Sequence, residues 1–291
     1  MAAVNAFSEE HPSDSFQKAA RPFRASLDLQ AKRNFKLVLE YDGSNYHGWQ
    51  RQKGVLTLQE VVESKLGIML GRSVTVRASG RTDAGVHALG QVINFYAKTR
   101  LSPQDFQRGL NGLLPPDIVV RHAEEVPDSF HASYSAVSKI YEYRILNRPL
   151  PSALERLYAW HIPKPLDLDR IRACLPVLLG EHDFSAFMAS GSSVTNTVRV
   201  MMDAQAWRPD PEHVYFRFHA TGFLRHMVRN LVGTLVQAGR GAMTPQDLAA
   251  VLESRDRSRA GITAPAHGLY LVCVFYGRGE HQSVGHIGEE T

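Results

Sequence analysis

The 291-residue sequence predicts an α+β fold: two ferredoxin-like (split βαβ) subdomains sharing a continuous, mainly antiparallel sheet flanked by helices. Three observations lead there. Strand-like and helix-like stretches interleave along the chain, and each half holds strands with two helices among them. No linker rich in Gly, Ser or Pro separates the halves, so one sheet is expected to run through both. With 44% hydrophobic and 21% charged residues, the chain can bury one large core or two modest ones. The expected division is a disordered extension over 1–34, subdomains over 35–135 and 136–276, and a flexible tail over 277–291; no sequence repeat relates the halves.

Alternating or β-rich stretches at 35–42, 73–78, 91–97, 138–145, 198–207, 213–219 and 269–276 are expected strands. Thr57 with Glu60 three residues on suggests a capping box, followed by an apolar stripe of Val61, Val62, Leu66 and Met69. Ser102-Pro103 and Thr244-Pro245 each place a hydroxyl cap before a proline at the first helical position. A further helix from Asp167 towards Gly180 is expected to kink or shorten at Pro176. The stretch 222–239 carries Leu224, Met227, Val228, Leu231, Val232, Leu235 and Val236 as one helical stripe, with Gly239 as its stop.

Composition excludes several classes. Cys174 and Cys273 have no C-x-x-C partner, which argues against a disulfide framework or thiolate zinc site and points to a reducing, cytoplasmic setting. No apolar run reaches the roughly 20 residues that span a bilayer, and residues 1–34 contain no secretory h-region. There is no G-x-x-x-x-G-K-[ST], no G-x-G-x-x-G after a strand and no H-E-x-x-H, so no nucleotide cofactor and no metal are expected. A formal net charge of +4 suits a nucleic-acid partner without requiring one. The 13 histidines, among them His87, His131, His182, His219 and His226, lack metal-ligand spacing and are expected to be solvated or satisfied in the core.

The segment "SGRTDAGV" (79–86) draws attention because Gly80 and Gly85 can adopt positive φ and so display Arg81 and Asp83 in a sharp loop. Asp83 is either an Asx-turn acceptor or ion-paired with Arg81, or else a carboxylate nucleophile at a sugar carbon or an activated ring carbon. Arg225 and Arg229, four apart, are either a solvated basic face or groups that reach a phosphate or pair with that carboxylate. Tyr141 and Tyr143 alternate onto one strand face, either as packing or as a platform for a base. A glycosidase would need a second acid, for which Asp42 and Asp183 are the residues to check.

Taken together, "GRTDAGVHA" (80–88), "YDGSNYHGWQRQ" (41–52), "KIYEY" (139–143), "FLRHMVRNLVG" (223–233) and "TAPAHGLYL" (263–271) resemble, in order, the motifs of the tRNA pseudouridine synthases of the TruA family. The resemblance spans about residues 35–276. It implies that Asp83 is the nucleophile, that Arg81 helps open the RNA stack, that Tyr141 stacks on the target uracil and that Arg229 pairs with Asp83. It further implies a homodimer acting on tRNA at positions 38, 39 and 40 of the anticodon stem-loop, without cofactor or metal. A non-catalytic RNA-binding protein on the same scaffold is the alternative. Arg225, Arg240 and the "SRDRSR" segment (254–259) are expected to track RNA phosphates. Two positions depart from the family pattern: Ser133 stands where F-H-A is usually followed by arginine, and Asn94 where histidine is frequent.

Overall fold

The computed structural model describes residues 31–191 and 194–277, so the expected extension up to residue 30 and the tail from 278 lie outside the described residues. The chain runs β1 (Arg33–Tyr41), α1 (Leu58–Leu70), β2 (Arg77–Ala78), β3 (His87–Ala97), α2 (Pro103–Leu113), β4 (Ile118–Val126), β5 (Ser138–Leu146), β6 (Trp160–His161) and α3 (Leu168–Cys174). It continues through β7 (Gly180–Asp183), β8 (Val198–Trp207), β9 (His213–Ala220), α4 (Met227–Gly239), α5 (Pro245–Ser254) and β10 (Leu269–Phe275). No helix among the described residues is long and apolar enough to cross a membrane.

One sheet takes the order β4-β1-β3-β10-β5-β9-β8-β7, with β2 beside β3 and β6 beside β5. The first four strands stand as 4-1-3-2, all antiparallel, which is the split βαβ arrangement. Strands β10, β5, β9 and β8 repeat that order, again antiparallel. The halves meet where β10 runs parallel to β3, Tyr270 facing His87 and Leu271 facing Ala88. Leu271 also faces Tyr141 of β5, so the seam brings the end of the 79–86 loop and the tyrosine strand within two strands of each other.

Several elements depart from expectation for local reasons. The 73–78 strand shrinks to Arg77–Ala78, because Val76 N–H donates to the Glu63 carboxylate at 3.0 Å instead of to a neighbouring strand. The charge-rich β4 was not anticipated; Ile118, Val120 and Ala123 are buried while Arg121, His122, Glu124 and Glu125 decorate an edge strand, where charge discourages further pairing. Thr57 does not form a capping box. Its hydroxyl is buried without a hydrogen-bond partner among the described residues, and the first amides of α1, at Leu58 and Gln59, donate to the Gly48 and Trp49 carbonyls at 3.2 and 3.0 Å. Ser102 with Asp105 and Thr244 with Asp247 do form reciprocal boxes, and α3 passes into a 3-10 turn over Leu175–Leu178 at Pro176.

The expected helix over 222–239 begins five residues late. The chain turns at Leu224, and His226 takes a left-handed conformation (φ 61) before Met227 starts α4. Arg225 therefore stands outside the helix, and Arg225 and Arg229 do not share a helical face. Gly239 is the last helical residue, and the left-handed turn falls at Gly241 (φ 77).

Candidate active site

The 79–86 loop is held from below. Ser79 Oγ donates to Gln91 Oε1 (2.7 Å), Gln91 Nε2 donates to the Gly80 carbonyl (2.9 Å), and Thr82 Oγ1 lies 2.8 Å from the Tyr41 hydroxyl. Lys139 Nζ, from the tyrosine strand, donates to the Ser79 carbonyl at 2.6 Å, and burial pushes its ammonium down to about 8. Pinning Thr82 inward turns Arg81 and Asp83, on either side of it, towards solvent. Gly85 uses its positive φ of 76, but Gly80 does not adopt one; there glycine leaves room for Lys139, whose Nζ would lie 3.0 Å from a Cβ.

A second turn supports the loop from the side. Trp49 N–H donates to the Thr82 carbonyl at 3.0 Å, and Gly48, at φ 84, approaches so closely that a Cβ would come within 2.7 Å of that oxygen. Gly48→Ala is expected to push the Thr82–Asp83 segment outward and lower the activity of the site about tenfold or more. Left-handed geometry costs a non-glycine residue roughly 1–2 kcal/mol, so melting should fall as well. Paired melting and rate measurements check this, and unchanged values in both would contradict it.

Two residues before and within α4 converge on Asp83. Arg229 Nη1 donates to Asp83 Oδ2 at 3.0 Å while its Nε donates to the Ala264 carbonyl at 2.7 Å, so the guanidinium is fixed at two points. His226 Nε2 lies 3.3 Å from the same oxygen. Burial lowers the His226 pKa below its ordinary 6.5, Asp83 opposes this, and Arg229, Arg225 and Arg257 reinforce it, so the ring is mainly neutral at pH 7. Asp83 pairs with Arg229 and His226 and not with Arg81, and its side chain caps no local turn; both structural alternatives for Asp83 are thereby removed. Both contacts fall on Oδ2, and Asp83 lines a cleft with 31% of its side chain exposed.

That cleft has a volume of about 460 Å³, in the range of small-ligand sites. Its floor and walls include Arg81, Asp83, Tyr141, Phe223, Arg225 and His226. Tyr141 is only 8% exposed, its ring edge-on to Phe223 at 4.9 Å, and burial raises its phenol pKa. Tyr143 shares the face but not the role: it is fully buried and donates to the Pro265 carbonyl at 2.7 Å.

A family model described as tRNA pseudouridine synthase matches residues 37–135 and 176–277. The chain belongs to that family. It is 46% identical over 244 residues to the tRNA pseudouridine synthase A of Thermoanaerobacter sp. (strain X514), covering 84% of this chain and all of the relative. The tRNA pseudouridine synthase A of Geotalea uraniireducens (strain Rf4) gives the same identity and coverage. A solved archaeal box H/ACA sRNP Nop10-Cbf5 complex aligns at TM-score 0.33 and 14% identity, over 78% of this chain and 59% of that one.

Within the synthase, the remaining residues singled out from sequence divide into near and far. Arg81 and Arg225 are exposed at the cleft. Arg240 caps the C-terminus of α4, eleven residues and so about 16 Å beyond Arg229, outside the cleft. The "SRDRSR" segment does not present a basic stripe. Arg257 turns inward to Asn230 Oδ1 (3.0 Å), Thr263 Oγ1 (3.1 Å) and the Gly261 carbonyl (2.9 Å), and Arg255 pairs with Asp183 at 3.2 Å.

Neither candidate second acid joins Asp83. Asp42 is engaged by Ser44, Tyr158 and His87, and Asp183 by Arg255. Asn94 is fully buried, donating to Asn34 Oδ1 at 2.9 Å and accepting from Ala132 N–H at 2.9 Å, so it fastens the 130–132 segment to the sheet. Among the described residues no group of three His, Cys, Asp or Glu side chains is placed to hold a metal. Sequence reasoning grouped His226 with the scattered histidines and passed over Phe223 and Lys139. The signal available for His226 was its place beside Arg225 and three residues before Arg229.

Proposed function

We propose that this synthase isomerises uridine to pseudouridine at positions 38, 39 and 40 of the tRNA anticodon stem-loop, with Asp83 as nucleophile on a base flipped out of the stem. The observation that carries the reading is a paired carboxylate at a nucleotide-sized cleft: Arg229 holds Asp83 Oδ2, His226 lies beside that oxygen, and Asp83 lines the cleft together with Tyr141. Flipping a paired base costs a few kcal/mol, which stacking on an aromatic ring and contacts to cations offset. Tyr141 supplies the ring, with Arg81 and Arg225 at the rim for the flanking backbone.

The reaction breaks the bond from uracil N1 to ribose C1′ and joins C5 to the same carbon, with the C5 hydrogen leaving as a proton and N1 taking one up. Nothing is oxidised and no water is consumed. Asp83 serves this by adding to C1′ or to uracil C6, holding one fragment while the base turns. Arg229 balances the charge before attack, and the wall of Tyr141 and Phe223 keeps water from the separated sugar. On the same reading, the enzyme works as a cytoplasmic homodimer whose subdomains, 35–135 and 136–276, meet at the cleft.

Unmodified tRNA transcripts with uridine at each of the three positions, treated with the enzyme and mapped for pseudouridine, test the assignment. Modification confined to 38–40 supports it; modification only elsewhere overturns the site specificity.

A further inference from the structure

Beyond the cleft, the structure carries a basic track that neither Asp83 nor Tyr141 uses. Arg81, at the cleft, also lines a neighbouring groove with Arg77, His131 and Ser133. Arg77 then lines a second groove, of about 430 Å³, together with Lys32, Arg72, Tyr96 and Lys98. The grooves are contiguous because Arg81 and Arg77 are each shared between neighbours, and among the described residues no aspartate or glutamate lines either one.

The sheet sets the spacing. Arg77 pairs with Asn94 of β3, and Lys98 follows four residues on, which places it about 13 Å further along the strand direction. Tyr96 sits between them as an organiser: Lys32 Nζ and the Arg77 guanidinium lie 4.8 and 5.5 Å from its ring centre, and its hydroxyl donates to the Asp128 carbonyl at 2.6 Å. Arg72 Nη2 donates to the Lys98 carbonyl at 3.3 Å. Arg72, Arg77 and Lys98 are exposed, and among the described residues none of these cations, nor Lys32, has a carboxylate within ion-pair distance.

We infer that this track, from Arg81 through Arg77 to Lys98, Arg72 and Lys32, is a second docking surface for the backbone of the substrate RNA, engaging nucleotides outside the stem-loop that enters the cleft. Five like charges held together without carboxylate partners among the described residues are stabilised by a polyanion, and continuity with the cleft through Arg81 makes that polyanion the strand already bound there. Exposed arginine and lysine side chains meet phosphates along such a track, so the contact adds affinity and orientation. The inference rests on the function proposed above.

The test compares the native chain with an Arg72→Gln/Lys98→Gln variant on full-length tRNA and on the isolated anticodon stem-loop. For full-length tRNA the variant is expected to raise KM and Kd about tenfold with kcat unchanged, and to flatten the slope of log Kd against log salt by roughly 1.4 to 1.8. For the stem-loop, KM and Kd stay within twofold of native. Equal affinities and slopes for the two proteins on full-length tRNA would overturn the inference, as would equal losses on both RNAs. Binding is read with or without turnover. A native chain that binds tRNA but modifies none of it thus refutes the proposed function, while the salt slopes still decide the docking surface.

Discussion

Asp83→Asn is expected to lower pseudouridine formation by about a thousandfold or more while leaving tRNA affinity within about twofold of native. The amide keeps the shape of the carboxylate, so the loop anchored by Thr82, Gln91 and Lys139 need not move. What is lost is the charge that Arg229 and His226 face at 3.0 and 3.3 Å, and with it the oxygen that the proposed mechanism uses as nucleophile. Pseudouridine content after nuclease digestion measures the loss, and filter binding measures affinity. A variant retaining a tenth of native activity would remove Asp83 from the chemical step.

Arg229→Gln is expected to cost about a hundredfold in kcat with a smaller change in KM. The native guanidinium joins the Ala264 carbonyl to Asp83 Oδ2, and the Ala264 N–H donates back to the Arg229 carbonyl at 3.1 Å, so one side chain registers α4 against the segment leading to β10. Truncation leaves a half-buried carboxylate without its main counter-ion, an arrangement that typically costs several kcal/mol in enclosed pairs. Arg229→Lys is expected to recover only part of the loss, because a single ammonium does not reproduce the planar two-point contact. Steady-state kinetics on the two variants check this. A lysine variant at native kcat would show that charge alone suffices.

Local periodicity carried much of the fold. β-branched and aromatic alternation marked six of the strand regions, and Ser102 and Thr244 marked helix starts because each cap is completed within its own first turn. The failures share a different cause, partners distant in sequence. Thr57 lost its capping role because Gly48 and Trp49 offered carbonyls to the helix amides, and the 73–78 strand lost its ladder to Glu63. Leu224 continues an apolar stripe, but the backbone reverses at His226 before the helix begins. At the site, the glycine-flanked loop displayed Asp83, whereas its partnership with Arg229, 146 residues away, was one of several alternatives in the residues and was singled out only by the family resemblance. Arg257 illustrates the limit of charge reading, since its burial against Asn230 and Thr263 depends on tertiary packing.

The measurement that tests the account most directly is tritium release from tRNA labelled at uracil C5, because joining C5 to C1′ must expel that hydrogen. The account predicts release by the native chain from tRNA carrying uridine at positions 38–40, and none from the same tRNA with cytidine at all three. Tight binding without release from any tRNA would contradict it and leave the Asp83 loop as part of an RNA-binding surface.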